Sequence, residues 1–140
     1  MAELVGGCLC GAIRYRAEAE PVMQGVCHCT HCQKQAGSAF SIVMGFPKGT
    51  VAIEGSPKSY DDSGDSGGRV ERIFCPNCGS PLFTKADAAP DLFFIKAGTL
   101  DDPTAFAPAI HFYAQTRLPW VDTGGIPAFA RMPEGESQGS

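Results

Sequence analysis

Three cysteines and two histidines fall within six consecutive positions, Cys27-His28-Cys29-Thr30-His31-Cys32. Thiols this dense demand a partner: oxygen, each other or a metal. Four more cysteines lie outside the run, Cys8 and Cys10 near the start and Cys75 and Cys78 past the middle. An odd total disfavours a closed disulfide framework. It favours a division into a set of four and a set of three.

Cys8 and Cys10, read as an extended segment, put two thiols on one side of the chain, because side chains alternate. Same-side neighbours are about 6.6 Å apart, and tetrahedral zinc wants sulfurs about 3.8 Å apart. Two side chains leaning together close that gap. Cys75-Pro76-Asn77-Cys78-Gly79 reads as a tight knuckle, with Pro76 fixing φ and Gly79 free to turn left-handed. Cys8, Cys10, Cys75 and Cys78 are therefore expected to enclose a structural zinc with no open position, clipping the first strand to the region around residue 75. A redox dithiol at Cys75 and Cys78 is the competing reading, but no βαβ context surrounds it.

Cys27, Cys29 and Cys32 converge if an extended segment turns into a helical start. Three protein ligands with an exchangeable fourth is the arrangement of a ligand-accepting zinc. Three thiolates leave such a centre near −1, better suited to a soft thiol than to hydrolysis of water. These three cysteines are the candidate catalytic and second-metal residues. Two other readings stay open: His28 or His31 closes the coordination sphere, or the trio is metal-free and open to oxidation. Ser38 and His111 are candidate proton handlers, each with a structural reading as a turn and a strand residue. Trp120 and Phe40 read as core.

The rest of the chain sets limits. Its 140 residues suit one domain, expected over residues 1–130, with a flexible tail at 131–140. A net charge of −4 and scattered basic residues disfavour a nucleic-acid partner. No apolar run approaches a membrane span. The start lacks a charged segment followed by a long apolar one, so a cytoplasmic location with reduced thiols is expected. Alternation over residues 11–18, with Ile13, Tyr15 and Ala17 on one side, predicts a strand. Further strands are expected over 22–27, 40–46, 51–54, 56–60, 70–74, 82–84, 92–97 and 110–114. One helical turn is expected after Cys32, stopped by Gly37. The polar run 61–68 reads as a solvated loop; a calcium loop would need a terminal Glu that is missing. The class is mainly β.

Several segments resemble one family. GGCLCGAIRY, CHCTHCQKQAGSAF and FCPNCGSPLF, followed by AGTLDDP, HFY and LPW, stand in order over about residues 6 to 121. They are similar to the glutathione-dependent formaldehyde-activating enzymes, the GFA or CENP-V/GFA domain. The resemblance implies an Mss4-like β-tent of short antiparallel sheets. It implies a structural zinc on Cys8, Cys10, Cys75 and Cys78, and a second, thiol-contacting zinc on Cys27, Cys29 and Cys32. It further implies a carbon–sulfur lyase joining formaldehyde to glutathione, with a small thiol or its hydroxymethyl adduct as partner. The rival is a non-enzymatic zinc module for protein interaction or for thiol or metal sensing.

Overall fold

The computed structural model describes residues 3–63 and 68–131. Ten strands and one helix follow in the order β1 (Leu4–Gly7), β2 (Arg14–Ala17), β3 (Met23–Cys27), α1 (Thr30–Ala36), β4 (Ser41–Pro47), β5 (Val51–Glu54), β6 (Lys58–Ser63), β7 (Arg69–Phe74), β8 (Pro81–Ala86), β9 (Leu92–Lys96) and β10 (Ile110–Phe112). They form a three-stranded sheet, β1-β2-β5, and a seven-stranded sheet, β10-β3-β4-β9-β8-β7-β6. The mainly β class expected from the sequence is what the chain adopts. Every pairing is antiparallel except β10 beside β3, which is parallel.

The main core lies between the sheets. Ile13, Tyr15 and Ala17 project from the β2 region against Met44, Phe46, Ile73, Phe83 and Ile95 of the larger sheet. The alternation read in residues 11–18 is thus the buried side of β2. Residues directly opposite in a ladder share a face. Registers Met44↔Ile95, Ile95↔Phe83 and Ile73↔Phe83 therefore align one apolar face. The reverse face follows from Cys27↔Ser41, Val43↔Lys96, Thr84↔Phe94 and Arg72↔Thr84. It carries Cys27, Ser41, Lys96, Thr84 and Arg72, and Ser41, Lys96, Thr84 and Arg72 are polar yet buried.

Several boundaries differ from expectation for identifiable reasons. Cys8-Leu9-Cys10 is a turn, not an extended segment, because the Gly11 N–H bonds back to the Cys8 carbonyl at 3.2 Å. The helix starts at Thr30, inside the cysteine run, because the Cys29 side chain caps it. Gly37 ends it at φ 62°, as its freedom to turn left-handed allows. β6 runs to Ser63 and takes in the first part of the polar run; residues 64–67 lie outside the described residues, as does the expected tail beyond Arg131. Trp120 is not core but 73% exposed: the Val121 N–H closes a turn onto Leu118, and Val121 takes the inward position. Phe40 is half-buried, edge-on to His28 at 5.6 Å between ring centroids.

Candidate functional site

Both cysteine sets assemble. The sulfurs of Cys8, Cys10, Cys75 and Cys78 all lie within 4.8 Å of one another, and so do those of Cys27, Cys29 and Cys32. In the quartet, Cys8 and Cys10 are 3.6 Å apart and Cys10 and Cys75 are 3.8 Å apart. That spacing fits zinc, whose bond to sulfur of about 2.3 Å sets tetrahedral sulfurs about 3.8 Å apart. An all-thiol donor set also suits it.

Backbone donors surround the quartet. Ile13 N–H points at Cys8 Sγ at 3.2 Å, and Asn77 N–H and Cys78 N–H point at Cys75 Sγ at 3.4 and 3.5 Å. The knuckle closes when Gly79, at φ 80°, donates its N–H to the Cys75 carbonyl at 2.8 Å. Ser80 joins the halves: its hydroxyl oxygen accepts from Leu9 N–H at 3.0 Å and sits 3.2 Å from Cys78 Sγ. That hydroxyl, with the Ser80 backbone N–H, draws the Cys78 thiol down to about 5.

The trio sits where β3 hands over to α1. Cys27 is the last residue of β3, Cys29 is the helix cap and Cys32 lies in the first turn. The Cys32 N–H points back at Cys29 Sγ at 3.2 Å, so one capping interaction fixes two of the three sulfurs. All three are buried, packed with Phe112 and Tyr113. Within the trio, Cys32 is held well below the usual thiol range by hydrogen bonds from Cys27 and Cys29, with Lys96 and Arg72 adding positive charge. Cys27 is pushed well above it by giving its proton toward Cys29 and Cys32, and by burial.

The histidines do not join either sulfur set. His28 Nε2 meets His111 Nδ1 at 2.8 Å, with the rings stacked 5.0 Å apart. Burial, and then the nearby His111 and Arg117 charges, lower His28 to about 4, so this pair is uncharged near neutrality. His31 Nδ1 lies 3.1 Å from Asp62. Among the described residues, the trio therefore has three sulfur donors and no ring nitrogen among them. Of the expected proton handlers, His111 is buried against His28, and Ser38 is exposed beyond the end of α1.

Sequence reasoning missed two residues here. Arg72 points Nη1 at Cys32 Sγ (3.8 Å) and bonds Asp62 through Nε and Nη2 (3.2 and 3.1 Å). Lys96 donates from Nζ to Ser41 Oγ at 2.6 Å, beside Cys27 in the ladder. Neither a charge run nor a motif marks them. Their signal is positional: register puts both on the sheet face that carries Cys27.

The pattern of the family described as glutathione-dependent formaldehyde-activating enzyme matches residues 3–116. A protein of Schizosaccharomyces pombe named an uncharacterized lyase is 33% identical over 97 residues, 69% of this chain and 68% of that one. A Rhodobacter sphaeroides protein of known crystal structure superposes with a TM-score of 0.56. It covers 89% of this chain and 99% of that one at 16% identity, a likeness of fold.

Proposed function

The chain belongs to the glutathione-dependent formaldehyde-activating enzyme family, and on that premise we propose that it is a lyase-type enzyme. It makes or breaks a carbon–sulfur bond at the sulfur of a small thiol, with glutathione and formaldehyde as the pair that the family's name suggests. The observation that carries this reading is three buried sulfurs, Cys27, Cys29 and Cys32, gathered with no fourth Cys, His, Asp or Glu ligand atom in the set among the described residues.

The chain's own residues do the positioning. The β3 end and the α1 cap fix the three sulfurs before any ligand arrives. Phe112 and Tyr113 wall them off from water, and a drier site strengthens every charge interaction in it. Zinc held by Cys27, Cys29 and Cys32 would supply the positive charge that keeps an incoming thiol deprotonated near neutral pH. The thiolate sulfur then forms a bond to the formaldehyde carbon. The carbonyl electron pair moves to oxygen, and the proton lost by the thiol ends there. Cleavage runs the same path backwards. The quartet closes on itself and has a structural role.

Metal counting with a glutathione titration tests the reading. Cobalt-substituted protein is expected to hold two equivalents, and glutathione is expected to change the spectrum of one. Cys29→Ser should keep one equivalent, lose the response and lose glutathione-dependent formaldehyde consumption. Two equivalents that both ignore glutathione, with no formaldehyde consumed, would establish the rival reading of a non-enzymatic zinc module.

A further inference from the structure

A buried charge without a partner is costly, so a buried cation beside a thiol says something about that thiol. Arg72 is 2% exposed. Its guanidinium divides its donors between two acceptors, Asp62 on one side and Cys32 Sγ on the other. Asp62 in turn faces His31, on the exposed side of α1. A line of polar contacts thus runs from a partly exposed imidazole through Asp62 and Arg72 to the deepest sulfur of the trio. Lys96, also buried, stands on the same sheet face with its ammonium on Ser41.

Charge counting gives this arrangement a purpose. Three thiolates around a divalent metal total −1, and a fourth thiolate makes −2. In a buried centre that extra negative charge is costly, and positive charge fixed nearby offsets the cost. Arg72 and Lys96 supply +2 from the protein side, partly offset by Asp62. Resting on the reading of the trio as a thiol-accepting centre, we propose that Arg72 is a positioning residue for it. Arg72 fixes Cys32 Sγ in place through its Nη1 contact, braced by Asp62, and with Lys96 supplies the positive charge that lets an anionic fourth ligand bind.

The test compares wild-type, Arg72→Met, Arg72→Lys and Asp62→Asn protein, each loaded with cobalt. The readouts are the affinity of each metal equivalent, by chelator competition, and the ratio of glutathione to imidazole affinity at the responsive one. Imidazole is a neutral ligand, so the ratio isolates charge. Arg72→Met should weaken the second equivalent by about 10- to 100-fold, the range for loss of a group supporting a metal ligand. It should also lower the ratio, while the first equivalent keeps its affinity and reports folding. Arg72→Lys should recover most of the ratio, and Asp62→Asn should raise it. An unchanged ratio in Arg72→Met, or a fall in Asp62→Asn, overturns the proposal. Should Arg72→Met not fold, the Lys and Asn variants decide it. A wild-type protein with no glutathione response instead sinks the thiol-accepting reading itself.

Discussion

Gly25 offers a clean test of how the trio is positioned, because its backbone is ordinary strand with no positive φ. A substitution there therefore tests steric room alone, without backbone strain. Gly25 lies opposite Val43 on β4 and Ile110 on β10. A Cβ would stand 2.6 Å from Phe112 Cε2 and 3.2 Å from Ile110 Cγ2, where carbon pairs prefer about 3.5–4.0 Å. The Phe112 ring is therefore seated over the glycine, and it is the same ring that packs on Cys27, Cys29 and Cys32. Gly25→Ala must displace it. Overpacking of this size costs about 2 kcal/mol, or a fall in Tm of about 6–10 °C in a domain of this length. The second metal equivalent should weaken with it, while the first, whose Cys8 and Cys75 pack in a separate cluster with Ile13 and Leu82, does not. Urea unfolding and metal titration of the single variants and the double variant with Phe112→Leu measure both effects. The smaller side chain should relieve the clash, giving a favourable coupling of about 1 kcal/mol. Additive costs, or a Gly25→Ala protein as stable as wild type, would refute the idea that this glycine exists to seat Phe112.

Three shorter predictions follow from the same geometry. Cys78→Ser should unfold the protein or lower its Tm steeply, because structural zinc sites contribute folding energy directly, whereas Cys29→Ser should keep its circular dichroism. His28 has a folded value near 4, below its value of about 6.5 when unfolded, so the unfolded chain takes the proton first. Stability should be full above about pH 6.5 and decline towards pH 4, by at most about 1.4 kcal/mol per unit; His28→Gln should flatten that slope in denaturant titrations. Tyr113 holds a left-handed backbone at φ 57°, ψ 41°, a conformation costing about 1–2 kcal/mol for residues with a Cβ. Tyr113→Gly should therefore be about 1 kcal/mol more stable than Tyr113→Ala in urea, the reverse of the usual order, and Ala equal to or above Gly would contradict this.

The cysteine sets, the knuckle at 75–79 and the helix stop at Gly37 were legible because each is local: spacing and a few φ preferences decide them. β2 was legible because one of its sides is buried and the other wet. Lys96 was not, since Phe94, Ile95 and Lys96 are all buried in a strand between two others, and a strand covered on both faces has no alternation to read. Arg72, in Arg69–Phe74, shares its side of the strand with Val70 and Phe74, but an arginine in that place reads locally as a solvated residue at a strand edge. Burial there is a long-range outcome that no periodicity carries. β10 was expected as a strand, but its parallel partner depends on the crossover through 97–109, whose short 3-10 turns at Ala97–Thr99 and Pro103–Ala105 have no strong sequence signal.

Burial separates the two sulfur sets in the opposite sense from a naive expectation. The quartet has Cys10 exposed and Cys78 partly so, while all three sulfurs of the trio are buried. For the quartet this costs little, because four thiolates around a metal would form a closed unit whose remaining needs are met by backbone N–H groups at its edge. For the trio, burial is what gives its charges leverage. Arg72 and Lys96 act on Cys32 through a medium of low effective dielectric, where a charge a few ångströms away is worth several times its value in water. An exposed trio would lose that influence to solvent screening. The depth of the site and the two cations beneath it are thus parts of one device: the cations offset part of what burial costs a charged sulfur, and without burial they would have little hold on it.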